Sequence, residues 1–171
     1  LLLSYHGMPQ RYLIEGDPYH CQCLKTTRLI AEKLNLSEED YITTFQSRFG
    51  ANEWLKPYTD VTVKSLASQG VKSIQVVCPG FAADCLETIE EIAEENRGYF
   101  KEAGGEKFEY IPAMNSSADH IDALTEIVDH NLMGWGLIDN LSSKRTALGE
   151  KNAELNVTRQ ARFEQCPHNQ K

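Results

Sequence analysis

The sequence predicts an α/β fold: a doubly wound, mainly parallel sheet with helices on both faces. Three observations carry that prediction. Strand-like runs alternate with helical segments through the first 133 residues. Residues 1–5 and 71–78 are near-continuous apolar runs, as buried strands are. The composition, 41% hydrophobic and 25% charged, is that of a soluble globular protein and excludes disordered and collagen-like chains.

Residues 1–5 form the first expected strand. The chain starts on three leucines, with no Met and no polar lead-in, so it is expected to be a piece of something longer. A loop follows, rich in turn formers: Gly7, Pro9, Gly16, Asp17 and Pro18. Gly7 is expected to let the backbone turn sharply and leave the His6 imidazole facing a crevice. Residues 21–34 read as a helix with a mixed apolar face, and the β-branched and aromatic run 41–45 reads as strand two. A long loop, 46–58, holds Gly50, Trp54 and Pro57. Thr59 or Asp60 is a suitable N-cap for a helix ending at Gly70. Strand three spans 71–78 and closes on Pro79-Gly80. A single long helix is expected over 82–101, stopped by Gly104-Gly105. A short strand at 108–111 and a helix at 118–133 follow, the latter striped by Ile121, Leu124, Ile127, Val128 and Leu132. Domain organisation follows: a domain over residues 1–136 and a flexible or loosely docked tail over 137–171.

Charge and cysteine usage narrow the function. The net charge of -8 argues against nucleic acid as a partner, because phosphate binding needs surplus Lys and Arg. Nine acids fall between Asp84 and Glu109, against Arg97, Lys101 and Lys107. Such an acidic helix is either a solvated face or a site that attracts cations. Five cysteines, an odd number, with no signal peptide in view, fit reduced thiols and a cytoplasmic protein. Cys21 and Cys23 lack the spacing and the second pair of a metal site. No run of about 18 apolar residues is present to span a membrane.

In a doubly wound sheet, ligands bind beyond the carboxyl ends of the strands. His6, the 46–58 loop and the 79–87 segment occupy those positions. Glu87, Glu91 and Glu95 recur at steps of four and would stack on one helical face. Either neighbouring bases and solvent relieve their repulsion, or a bound cation does. Glu90 and Glu94 form a parallel row, expected to be solvated. Met8, Phe49, Trp54 and Phe81 lie in the same loops, where large hydrophobes must be buried or cover a ligand. A histidine, a carboxylate ladder and an aromatic rim suit a flat, apolar ligand with anionic tails that accepts a metal. No G-x-G-x-x-G or P-loop supports a nucleotide.

Ser4-Tyr5-His6-Gly7-Met8-Pro9, Gly16-Asp17-Pro18-Tyr19, Phe45-Gln46-Ser47-Arg48-Phe49-Gly50, Pro57-Tyr58-Thr59-Asp60 and the run from Cys78 to Thr88 closely resemble the carboxyl-terminal half of ferrochelatases. The resemblance runs in order over about residues 1–133. It implies a chelatase-like fold, one of two similar α/β domains with porphyrin held in the cleft between them. It implies a lyase that inserts ferrous iron into protoporphyrin IX to form protohaem, the last step of haem biosynthesis. His6 and Glu87 match the family's essential histidine and glutamate, and His6, Glu87, Glu91 and Glu95 are the implied metal-side residues. The family's acidic helix often carries a π-bulge. Tyr5, Met8, Trp54, Phe81 and Asp84 are the implied substrate-side residues. Cys85 stands where many relatives place histidine and receives no ligand role. Iron is implied as substrate, with no permanently bound cofactor. Only Cys166 lies in the tail, so no iron–sulfur cluster is expected. The implied partners are protoporphyrin IX, ferrous iron and the amino-terminal domain of the same chain, with peripheral membrane contact through the lipophilic porphyrin. The competing readings are a cobalt or nickel tetrapyrrole chelatase, a non-catalytic porphyrin- or metal-binding module, and a flavodoxin-like domain without a site.

Overall fold

The computed structural model describes residues 1–132. The tail expected over 137–171, with Cys166, lies outside the described residues. Residues Leu1–Ser117 form one compact unit, and the helix Ala118–Leu132 belongs to a second, described by itself. Among the described residues, no helix is long and apolar enough to cross a membrane.

Four strands make one all-parallel sheet: β1 (Leu2–His6), β2 (Ile42–Gln46), β3 (Ser73–Val77) and β4 (Lys107–Ile111), in the order β2-β1-β3-β4. Side chains alternate across a strand, and the sheet therefore has a core on each face. Leu2, Ile74, Val76 and Phe108 face one way and pack with Val63, Ala67, Ile92 and Phe100. Leu3, Tyr5 and Phe45 face the other way and pack with Cys23 and Leu55. The helices are α1 (Gln10–Ile14), α2 (Tyr19–Leu34), α3 (Thr59–Ser68), α4 (Leu86–Ile89) and α5 (Arg97–Glu102), with a π-helical segment at Glu91–Asn96; α2, α3, α5 and the π-helical segment supply Cys23, Val63, Ala67, Phe100 and Ile92. Helices on both faces of a parallel sheet are the doubly wound arrangement expected from the alternation. The strand order reverses between β1 and β3, and a crevice is expected at the carboxyl ends of those two strands.

Several local expectations are corrected. The five-residue α1 lies inside the segment expected to be loop; it is short and hemmed by Pro9 and Gly16. Neither Thr59 nor Asp60 caps α3. Thr59 turns inward to bond Thr44 and Ser4, both at 2.9 Å, and Asp60 pairs with Arg48 at 2.8 Å. The helix expected over 82–101 starts at Leu86 instead, and its middle is π-helical. Cys85 takes an extended conformation and forms a capping box with Thr88, whose hydroxyl accepts the Cys85 N–H at 3.0 Å.

Gly7 is also corrected: it is needed for close approach, not for an unusual turn. A Cβ there would lie 2.6 Å from the Gln46 carbonyl oxygen and 3.0 Å from the Trp54 ring. The Gly7 N–H donates to that same carbonyl at 2.7 Å, which holds the end of β1 against β2. Gly7→Ala must push this backbone apart, and such overpacking costs about 1–3 kcal/mol. Urea unfolding should show a lower midpoint; an unchanged midpoint would contradict the close packing.

Candidate functional site

The end of β1 presents His6. Its Nδ1 lies 2.7 Å from the Gly7 carbonyl oxygen, which can only accept, so Nδ1 carries the hydrogen. In the neutral ring, Nε2 therefore keeps its lone pair free for a proton or a metal. The His6 carbonyl accepts the Tyr19 hydroxyl at 2.9 Å, and the Phe81 ring stands 6.3 Å from the imidazole. The histidine is thus pinned by its backbone on one side and walled by an aromatic on the other.

Glu87 sits in the first turn of α4, where a carboxylate complements the helix dipole. The Cys85 thiol, then its own backbone N–H, and more weakly the charge of His6, hold its carboxyl below the ordinary value of 4.5. It is ionised throughout the neutral range. Glu91 is gripped more firmly: the Ser47 N–H donates to it at 2.7 Å and the Ser47 hydroxyl at 2.6 Å. Ser47 reaches it from a left-handed conformation, φ 62°. That conformation costs a non-glycine residue about 1–3 kcal/mol and is typical of functional loops. Here it turns both donors of one residue onto one carboxylate.

These groups line an open groove of about 400 Å³, walled by Ser47, Arg48, Leu86, Glu87, Glu90, Glu91 and Glu95. Its one lining cation, Arg48, is already engaged with Asp60 and lies 4.0 Å over the Tyr58 ring. The groove is therefore electronegative. Among the described residues, no three His, Cys, Asp or Glu side chains converge as a ready metal cage. His6, Glu87, Glu91 and Glu95 are thus spread as a row along the crevice and groove, not gathered into one site.

Glu90 and Glu94 are both exposed, as expected, and Glu90 also lines the open groove. The cause is the π-turn: the Glu95 N–H bonds the Glu90 carbonyl, five residues back, at 2.9 Å. Five-residue stacking brings Glu90 and Glu95 together where α-helical spacing would separate them. The Asn96 side-chain amide supports the turn by donating to the Glu91 carbonyl at 2.7 Å. Glu94 faces out and pairs with Arg97 at 3.4 Å.

The implied substrate-side residues divide. Phe81 is beside His6. Trp54 is buried behind Gly7, with its indole N–H on the Phe49 carbonyl at 3.0 Å; the exposed Phe49 ring lies tilted against it, with centroids 5.0 Å apart, and forms the outer aromatic rim. Met8 is half-buried against the second core. Tyr5 is corrected: it is 2% exposed, its hydroxyl meets Thr27 at 3.1 Å, and it belongs to the core because strand alternation points it away from the crevice. Asp84 supports the site through internal bonds. It accepts from the Tyr110 hydroxyl and the Asn115 amide at 2.7 Å, from Thr88 at 3.1 Å and from the Ala113 N–H at 3.2 Å.

Burial by itself would raise the Asp84 pKa, but the bonds from Asn115, Tyr110, Ala113 and Thr88 outweigh it and hold the carboxyl below its ordinary value of 3.8. A carboxyl depressed in the folded state stabilises the fold above its unfolded pKa, and this contribution is lost as pH falls through the folded value. Asp84→Asn should therefore lower the urea midpoint at neutral pH. The deficit should shrink as the pH drops below the ordinary carboxylate range. An equal deficit at every pH would show that the charge is not what braces this loop.

Ser47 and Gln46 are the site residues that sequence reasoning missed. Their carboxylate and carbonyl partners lie more than forty residues away, so no local pattern marks them. The one available signal was a polar Gln-Ser pair at the carboxyl end of a strand, where ligands are bound.

The ferrochelatase family profile matches residues 1–132. The chain is 63% identical to a ferrochelatase of Idiomarina loihiensis over 139 residues, 81% of this chain and 38% of that protein. It is 59% identical to a ferrochelatase of Marinobacter nauticus over 157 residues, covering 90% and 42%. It is 58% identical to a ferrochelatase of Teredinibacter turnerae over 170 residues, covering 99% and 43%. The chain thus spans about two-fifths of the length of the curated relatives it matches. A profile that covers every described residue, together with relatives this similar, places the histidine-bearing strand and the acidic helix in one lineage: the chain belongs to the ferrochelatase family.

Proposed function

We propose that this chain supplies the metal-handling part of a lyase that inserts ferrous iron into protoporphyrin IX to form protohaem, the last step of haem biosynthesis. The observation that carries the reading is the pairing of a histidine whose Nε2 is free with an ionised Glu87 beside an acid-lined groove.

The chemistry needs both. Each insertion releases two pyrrole protons as one Fe2+ enters, with no change of oxidation state. An imidazole titrates near neutrality and is suited to accept such protons in turn. In this reading, His6 Nε2 takes them, and the Glu87 carboxylate stabilises the imidazolium that forms. The groove carboxylates offer hard oxygen ligands to a ferrous ion as it sheds water. Because they form a row, iron can pass between them without being trapped in a complete cage. The planar macrocycle shields its own nitrogens, so bending it is strain that favours the transition state. Phe81 and the Phe49–Trp54 pair supply rigid apolar walls for that purpose.

Iron is substrate here, with no resident cofactor. The remaining length of the relatives would supply the other wall of the porphyrin cleft. This reading assigns the protein to the cytoplasm on its odd cysteine count, with peripheral membrane contact where the porphyrin is delivered. Steady-state insertion by the full-length protein, with Fe(II), Co(II) and Ni(II) in parallel, tests the reading. Iron insertion into protoporphyrin IX is expected. Insertion of cobalt into a corrin precursor with no iron activity would overturn it.

A further inference from the structure

We infer that Gln46 is a positioning residue that sets the geometry of both His6 and Glu87 and thereby the affinity of the groove for metal. The inference rests on the metal-insertion reading and names a residue that reading does not use.

Gln46 ends β2 and is 2% exposed. A buried amide costs free energy unless its polar atoms are bonded. Both ends of this amide are bonded. The Ser4 hydroxyl donates to Oε1 at 2.7 Å, and the Cys78 thiol donates to it at 3.3 Å. Burial pushes the Cys78 thiol up to about 12, so the S–H is present throughout the neutral range. Nε2 donates to the Glu87 carbonyl oxygen at 2.6 Å and more weakly to Glu91 Oε2 at 3.4 Å. The Glu87 carbonyl cannot donate, so the amide has one workable orientation.

The backbone of Gln46 does the rest. Its residue pairs with His6 in the β1–β2 register, and its carbonyl accepts the Gly7 N–H at 2.7 Å. His6 hangs its ring on the Gly7 carbonyl. One residue therefore grips the histidine strand through its main chain and the glutamate turn through its side chain. Hydrogen bonds behind a metal-handling group orient it, and their loss typically costs 10–100-fold in affinity or activity.

Two substitutions in the full-length protein separate positioning from packing. Gln46→Met keeps the length and removes both bonded ends. Gln46→Glu keeps the shape but turns an acceptor onto the Glu87 carbonyl and the Glu91 carboxylate. Mn(II) affinity is read by electron paramagnetic resonance, and the KM for iron is read separately from that for porphyrin. For Gln46→Met, both the Mn(II) dissociation constant and the iron KM should rise by about tenfold or more, with the porphyrin KM little changed. For Gln46→Glu, which keeps the shape but loses the amide donor, the Mn(II) dissociation constant should also differ from wild type by about tenfold or more. Wild-type Mn(II) affinity in a folded Gln46→Met protein would overturn the inference, even if its thermal midpoint fell. If Gln46→Met does not fold, wild-type Mn(II) affinity in Gln46→Glu overturns it instead. A wild-type protein that makes no protohaem refutes the metal-insertion reading, while the Mn(II) comparison still decides the role of Gln46.

Discussion

Replacing His6 with alanine should abolish metal insertion while leaving the fold intact. A positioned general base contributes about 10²–10⁴-fold, and a loss of that size is expected in kcat/KM. The fold should survive because the ring is half-buried and its side-chain bond runs only to the adjacent Gly7 carbonyl. The strand beneath it is held by Leu3 and Tyr5 on one face and Leu2 on the other. An unchanged thermal midpoint with lost turnover is the expected pair of results. Turnover close to wild type would remove His6 from the chemistry.

Glu87→Gln is the second large effect, and the more discriminating one. It keeps the side chain's size and leaves the main-chain carbonyl that Gln46 holds. Only the negative charge goes. Because the Cys85 thiol and the backbone N–H keep that carboxyl ionised well into the acid range, the wild-type charge is constant across the working pH. Its loss should lower insertion about 10²–10⁴-fold across the neutral range. Turnover close to wild type would remove the Glu87 charge from the chemistry.

Reading the sequence located the four strands within a residue or two. Runs such as Leu1-Leu2-Leu3 and Val76-Val77-Cys78 are apolar because both faces of the sheet are covered, and that signal is local. It also placed His6 at a strand end and Glu87 at the start of the acidic helix. It failed where geometry depends on distant partners. Residues 82–85 look helical, but Asp84 is drawn inward by Tyr110 and Asn115, which delays the helix to Leu86. The carboxylate row drawn at steps of four, Glu87, Glu91 and Glu95, does line one groove, and the π-turn that the resemblance implied adds Glu90 to its wall. Tyr5, implied as substrate-side by the resemblance alone, is sent to the core by strand alternation. Gln46 and Ser47 were passed over because their roles exist only once β2 meets the acidic helix.

The most direct measurement is anaerobic single turnover with protoporphyrin IX already bound. Ferrous iron is added to the full-length protein and to its His6→Ala and Glu87→Gln forms, and conversion is followed by porphyrin absorbance. The expected result is protohaem from the wild type, and bound but metal-free porphyrin in both variants. Protohaem formed at the wild-type rate by either variant would contradict the division of labour between the histidine and the acidic groove.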